Sequence, residues 1–231
     1  MINQMFELYF APTPNGQKIT ILLEELELPY QLIAVDLLNG EQHTTKFRTL
    51  NPYGKIPVLV DHHGPGGAPM TLYESGAILW YLANKYQRFK GETPRQEALV
   101  MQWLMFQMGN LGPFLGQAHH FFNYAPEMID YAQKRYYREA TLMYEVLNAR
   151  LGEHPFLAET YSIADMAVYP WVSARRAHRI DLNDYPAVAS WHQTIKQRPA
   201  VRRGFAPLRD RLPSKLEPEH RKHLFGQQQN P

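Results

Sequence analysis

No cysteine occurs among the 231 residues. Disulfide staples, thiolate metal sites and a catalytic cysteine are therefore excluded, and any thiol chemistry must be done by a thiol bound from outside. An excess of charge of one sign is also missing. Twenty-four Lys plus Arg against 22 Asp plus Glu leave a formal charge of +2, which argues against nucleic acid as a partner. No apolar run reaches membrane-spanning length, and Met1-Ile2-Asn3-Gln4-Met5-Phe6-Glu7 lacks the cationic start and apolar core of a signal peptide. A cytoplasmic chain with no membrane partner is expected. What is abundant is core-forming material: 45% of residues are hydrophobic and 13% aromatic, enough for one large or two small domains.

The first ninety residues alternate strand and helix patterns. Phe6 to Phe10 reads as a buried strand, stopped by Ala11-Pro12-Thr13-Pro14-Asn15-Gly16. Gln17 to Leu28 carries Ile19, Leu22, Leu23 and Leu26 at helical spacing, and Pro29 closes it. Tyr30 to Val35 is the next strand, Glu41 to Leu50 a short irregular helix, and Val58-Leu59-Val60 a third strand. A Gly/Pro-rich hairpin loop from Asp61 to Pro69 leads to a last strand, Thr71-Leu72-Tyr73, and a helix from Ser75 to Tyr86. This βαβ then ββα order ends near residue 90, where Lys90-Gly91-Glu92-Thr93-Pro94 reads as a linker. Beyond it the patterns are helical: about Pro94 to Met108, Pro126 to Leu151, Ser162 to Arg175 and Tyr185 to Gln197. Ser162-Ile163-Ala164-Asp165 is a capping-box variant with a structural role. The expected division is an α/β domain over 1–89, an all-α domain over 90–210 and a polar tail over 211–231.

The chemistry concentrates in Asn51-Pro52-Tyr53-Gly54-Lys55-Ile56-Pro57 and Leu72-Tyr73-Glu74-Ser75-Gly76-Ala77. The first is a turn feeding a strand through Ile56-Pro57, a linkage at which a cis peptide is cheap. In that form Ile56 would present its N–H and C=O to an extended peptide as an added strand. The second places a carboxylate and a hydroxyl at a helix start, where Ser75 and nearby N–H groups can hold an α-carboxylate and Glu74 an ammonium. A zwitterionic thiol peptide such as glutathione needs both. Its sulfur would lie near Thr13 and Asn15, at the carboxyl end of the first strand, where the helix dipole and hydrogen bonds acidify a thiol. Gln42 and Lys55, both close in sequence to the Ile56 turn, are candidates for the glycyl carboxylate. Each residue also has an ordinary reading. Thr13 to Gly16 can be a turn and cap, Pro57 an edge-strand residue, Ser75 an N-cap, Tyr9 a core tyrosine, and Lys55 and Arg135 solvated charges. His119 and His120 either line a cleft or cap a helix; no third ligand at metal spacing accompanies them, so no metal is expected.

Taken together, Asn-Pro-x-Gly-Lys-Ile-Pro, Glu-Ser-Gly-Ala-Ile and Ser-Ile-Ala-Asp, in this order and at these spacings, resemble the cytosolic glutathione transferase superfamily from about Phe6 to Arg203. Within it, Ala-Pro-Thr-Pro-Asn-Gly, Gly-Gln-Ala-His-His-Phe and Tyr-Ser-Ile-Ala-Asp look like the bacterial nu class and its fungal nitrogen-regulator relatives. The resemblance implies a thioredoxin-like N-terminal domain, an all-helical C-terminal domain, a homodimer and a site between domains. It implies Thr13 and Asn15 at the sulfur, Gln42, Lys55, Ile56 and Pro57 along the peptide, Glu74 and Ser75 at the γ-glutamyl end, and Arg135 from the helical domain. The implied activity is reduction of small disulfides with two glutathione molecules, whose charge Arg135 with Lys55 or Lys18 would compensate. Conjugation of glutathione to electrophiles and a non-catalytic binding module are the alternatives. Tyr9 stands near where tyrosine-type transferases keep a thiolate donor, and Thr13 is preferred.

Overall fold

The computed structural model describes residues 5–208 and 216–226, which fall into two compact units: one runs to Ile78 and resumes at Arg203, the other is Leu79–Arg202. The first holds strands β1 (Phe6–Phe10), β2 (Tyr30–Ala34), β3 (Val58–Asp61) and β4 (Met70–Tyr73) in the order β2-β1-β3-β4. β1 and β2 are parallel and joined by helix α1 (Pro14–Glu25), while β3 runs antiparallel to both β1 and β4. This is the expected βαβ–ββα order.

Alternation along β1 gives the sheet two buried faces. Phe6, Leu8 and Phe10 are fully enclosed on one side. On the other, helix α2 (Thr45–Leu50) supplies Phe47 to a cluster with Val35 and Val58, into which Tyr9, Leu37, Leu50 and Ile56 pack. The helical spacing of Ile19, Leu22, Leu23 and Leu26 is likewise buried. α1 begins at Pro14, earlier than the Gln17 expected from periodicity, because Thr13 caps it and a proline at the first helical position lacks only an N–H the helix does not use.

The chain returns to this unit at Arg203, whose guanidinium bonds Glu24 at 2.6 Å, and at Gly204, whose carbonyl accepts from Thr20 Oγ1 at 2.7 Å. Part of the stretch expected to be a polar tail is a helix, Pro218–Phe225; residues 211–215 and 227–231 of that stretch lie outside the described residues.

In the second unit, Pro94–Phe106 passes through a π turn at Gln107–Leu111 directly into Gly112–Asn123. The helical pattern in the sequence ends at about Met108, yet the run stays helical through Gly109–Pro113. Pro113 falls in the first turn of the following helix, where its missing N–H costs nothing, and the wider turn absorbs the irregularity. Asp130–Glu153, Ile163–Ser173 and Pro186–Lys196 follow in this unit, and a further helix, Pro199–Phe205, which periodicity did not reveal, begins in it and ends in the first unit. No helix among the described residues is long and apolar enough to cross a membrane.

Ile163–Ser173 is enclosed from Ile163 to Val172, and its start is held by Asp165. One carboxylate oxygen accepts from Leu157 N at 3.1 Å and Trp191 Nε1 at 2.9 Å, the other from Ser162 N at 3.1 Å. Burial pushes this carboxyl up to about 6 against the pull of those donors. Asp165→Ala would orphan three buried N–H groups. It is expected to cost roughly 3 kcal/mol or more, a fall of about 6 to 12 °C in Tm by calorimetry, whereas a loss under 1 kcal/mol would contradict the role.

Candidate functional site

The strand register decides what meets at the end of the first unit's sheet. Tyr9 pairs with Val58 and Val58 with Tyr73, so the loop leaving β1, the turn entering β3 and the turn leaving β4 emerge side by side. Those three segments carry Thr13 and Asn15, Ile56 and Pro57, and Glu74 and Ser75. With Lys55, next to Ile56, the structure thus gathers seven of the nine sequence-selected residues at one sheet end.

At the first segment, Thr13 Oγ1 accepts the Gly16 N–H at 3.3 Å and caps α1. Because the oxygen is used as acceptor, its own O–H is available to donate to a ligand. Asn15 is half-buried in the opening turn of α1. Helix and strand end meet closely here: a Cβ on Gly16 would fall 2.4 Å from Ala11 O and 2.9 Å from the Phe10 ring. The result is a helix N-terminus, with its partial positive charge, set against the sheet end.

At the second segment, buried Asn51 ties the turn together. Its Nδ2 donates to Lys55 O at 2.7 Å, its Oδ1 accepts from Tyr53 N at 3.0 Å, and its carbonyl accepts from Gly54 N at 2.9 Å. Gly54 has φ +69, and a Cβ there would press on Gln42 O at 3.0 Å, so glycine is needed twice over. The Ile56-Pro57 bond is cis. Among the described residues no hydrogen bond engages the Ile56 N–H or C=O. Lys55 is exposed, with its ammonium 5.7 Å from the Tyr53 ring centroid. Asn51 followed by Pro-Tyr-Gly is an Asx-turn signature; sequence reading quoted the motif without seeing that Asn51 holds it.

At the third segment, α3 (Ser75–Tyr86) begins directly after β4. Ser75 is its first helical residue rather than its cap. Glu74, exposed and at φ +70, occupies the flanking position and accepts Ile78 N–H on its carbonyl at 3.0 Å. Ser75 is buried, and Lys18 Nζ, wholly enclosed, lies 3.1 Å from its Oγ. Burial pushes the Lys18 amine down to about 7, opposed by the nearby Glu74 carboxylate. Sequence reading weighed Lys18 only as a cation for the cleft; nothing in the helical pattern marked it as buried.

The other selected residues stand differently. Gln42 is buried, and its Nε2 already donates to Leu37 O at 3.3 Å and His223 O at 3.2 Å, the latter from α10 (Pro218–Phe225). His43 Nε2 lies 2.8 Å from the same carbonyl. Arg135 belongs to the second unit, on α6 (Asp130–Glu153), with Nη2 3.9 Å from Glu139 Oε1. Tyr9 lies on the α2 side of the sheet, edge-on to Phe47 at 6.2 Å, and burial with the Glu7 charge holds its phenol proton more tightly. His119 stacks on Tyr124 at 4.8 Å and stands edge-on to His178 at 5.9 Å, within the second unit. No group of three or more His, Cys, Asp or Glu among the described residues is placed to hold a metal ion.

Comparison with known proteins matches two family models, the glutathione S-transferase N-terminal domain over residues 13–85 and the C-terminal domain over 113–199. The Escherichia coli disulfide-bond oxidoreductase YfcG is 54% identical over 199 residues, covering 85% of this chain and 93% of the relative. The chain belongs to the glutathione S-transferase family. Two solved glutathione transferases agree in fold. One from Pseudomonas putida, with one glutathione disulfide bound per subunit, has TM-score 0.84 at 37% identity and covers 90% of this chain and 93% of its own. One from Burkholderia graminis, with two glutathione molecules per subunit, has TM-score 0.84 at 38% identity and covers 89% and 90%. For this transferase-family chain, the thioredoxin-like and all-helical architecture read from sequence stands.

The cap at α1 yields a ligand-free test. Thr13→Ala removes the acceptor for Gly16 N–H and is expected to cost about 1 kcal/mol in chemical denaturation, with Thr13→Ser restoring most of it. Equal stability of all three would contradict the capping bond.

Proposed function

We propose that the protein is a glutathione-dependent disulfide-bond oxidoreductase that reduces small disulfides with two glutathione molecules and no cysteine of its own. The observation that carries this reading is the convergence, at one sheet end of a cysteine-free chain, of a helix N-terminus, an unengaged peptide N–H and C=O at Ile56, and a hydroxyl and carboxylate at Ser75 and Glu74. Each suits one part of glutathione: the sulfur, the cysteinyl backbone and the γ-glutamyl end. YfcG, whose name states a disulfide-bond oxidoreductase, supports the reaction class.

In the proposed reaction the Thr13 O–H and the α1 N-terminus favour the thiolate form of bound glutathione. That thiolate attacks one sulfur of R–S–S–R, forming a mixed disulfide and expelling RS⁻. A second glutathione thiolate then attacks the glutathione sulfur of the mixed disulfide and expels the second RS⁻. Two thiol protons pass to the two leaving thiolates, and the products are oxidised glutathione and two R–SH. Asn15 is proposed as a further donor to the sulfur, Ile56 and Pro57 as the edge that pairs the peptide, and Lys55 as the partner of the glycyl carboxylate. Gln42 would join it only by exchanging its bond to His223 O. Arg135 is proposed to offset the charge of the second glutathione. The working form is proposed to be a homodimer in the cytoplasm, where the glutathione pool is reduced.

Reduction of hydroxyethyl disulfide and conjugation of a chloronitrobenzene, assayed at equal protein concentration, test the reaction class. Disulfide turnover is expected to exceed conjugation at least tenfold, and the reverse order would overturn the proposal. In the disulfide assay Arg135→Ala should lower turnover by roughly tenfold, the size of a 1.4 kcal/mol loss, with less change in affinity for the first glutathione by calorimetry. Unchanged turnover would remove Arg135 from the reaction.

A further inference from the structure

Lys18 is a feature that packing alone does not explain. A methionine would fill the same space beneath α3 without desolvating an amine, and an amine enclosed in protein is expensive unless a partner compensates it. Its Nζ is wholly buried and reaches Ser75 Oγ at 3.1 Å, on the residue where α3 begins. Among the described residues, Glu74, in the turn between β4 and α3, is a charged group that acts on it. An ammonium can only donate. When Lys18 is charged, Ser75 Oγ is therefore the acceptor in this bond, and the hydroxyl proton is directed away from Lys18. A helix N-terminus already favours an anion, and a buried cation one hydrogen bond behind it strengthens that preference in a low-dielectric setting.

We propose that Lys18 is the buried counter-charge of the carboxylate bound at Ser75: an anion seated there draws a proton onto the amine, so that ligand binding and charging of Lys18 are one event. The inference rests on reading Ser75 and Glu74 as the clamp for the α-carboxylate and ammonium of a γ-glutamyl peptide. Lys18 acts as a positioning residue, through Ser75, and touches no reacting atom.

The sign of the coupling follows from the free amine titrating at about 7. Well below that pH Lys18 is charged before the ligand arrives and little proton moves. Above it the free amine is neutral, a bound carboxylate raises its proton affinity, and binding takes up a proton. Affinity should therefore fall as pH rises above 7, approaching tenfold per pH unit.

The experiment is calorimetric titration of the full chain with S-methylglutathione, which has no thiol proton to confuse the count, in buffers of different ionisation enthalpy at pH 6 and pH 8. The wild-type chain is expected to take up most of one proton at pH 8 and about a tenth of one at pH 6. Lys18→Met, with its fold verified by thermal melting, should bind at least tenfold more weakly at pH 6 and take up no proton at either pH. Binding by the wild-type chain without proton uptake at pH 8, or equal uptake by Lys18→Met, overturns the role of Lys18 and leaves the clamp intact. No binding by the wild-type chain at either pH overturns the clamp and the inference with it.

Discussion

Three strand ends are held in line. Because Tyr9, Val58 and Tyr73 are neighbours across β1, β3 and β4, the segments beyond them cannot separate without breaking the sheet. A one-residue slip of β1 against β3 would turn Phe6, Leu8 and Phe10 away from the enclosed face. The core thus enforces the register, and the register brings the Thr13 loop, the Ile56 turn and the Ser75 helix start together. Chemistry at this end of the molecule is inherited from packing in its middle.

Local bonds then aim each segment. Thr13 caps α1, Asn51 closes the turn ahead of Ile56, and Lys18 anchors Ser75 from below. Two helix N-termini and a buried amine are the proposed sources of positive potential for an anionic ligand in a chain whose formal charge is only +2. Absence of cysteine fits the proposed scheme, in which Thr13 and the α1 N-terminus would favour the thiolate of a sulfur the chain itself does not supply.

Much of this was legible in the sequence because it depends on residues with strong local rules. The prolines after Phe10 mark the end of β1, although Pro14, Asn15 and Gly16 already belong to α1, Pro57 marks the turn before β3, and Ser-x-x-Asp marks the start of the Ile163–Ser173 helix. What escaped depends on partners far along the chain. Lys18 looks like any helix-surface lysine until Ser75, 57 residues away, is placed beside it. Gln42 looks available until the His223 carbonyl takes its amide. The helix Gly112–Asn123 was hidden by Gly109 to Pro113, because turn-forming residues say nothing about a π turn whose stability comes from packing. Tyr9 stayed open for a similar reason, and only the sheet face it occupies, against Phe47, resolves its setting.

The claim that glutathione lies along this sheet end is tested most directly by amide hydrogen exchange of the full chain with and without saturating oxidised glutathione. Exchange is expected to slow at Ile56, in the first turn of α1 at Asn15 and Gly16, and in the first turn of α3 from Ser75 to Ala77, with little change across β2. Protection absent from all three segments, or confined to Leu79–Arg202, would contradict the account.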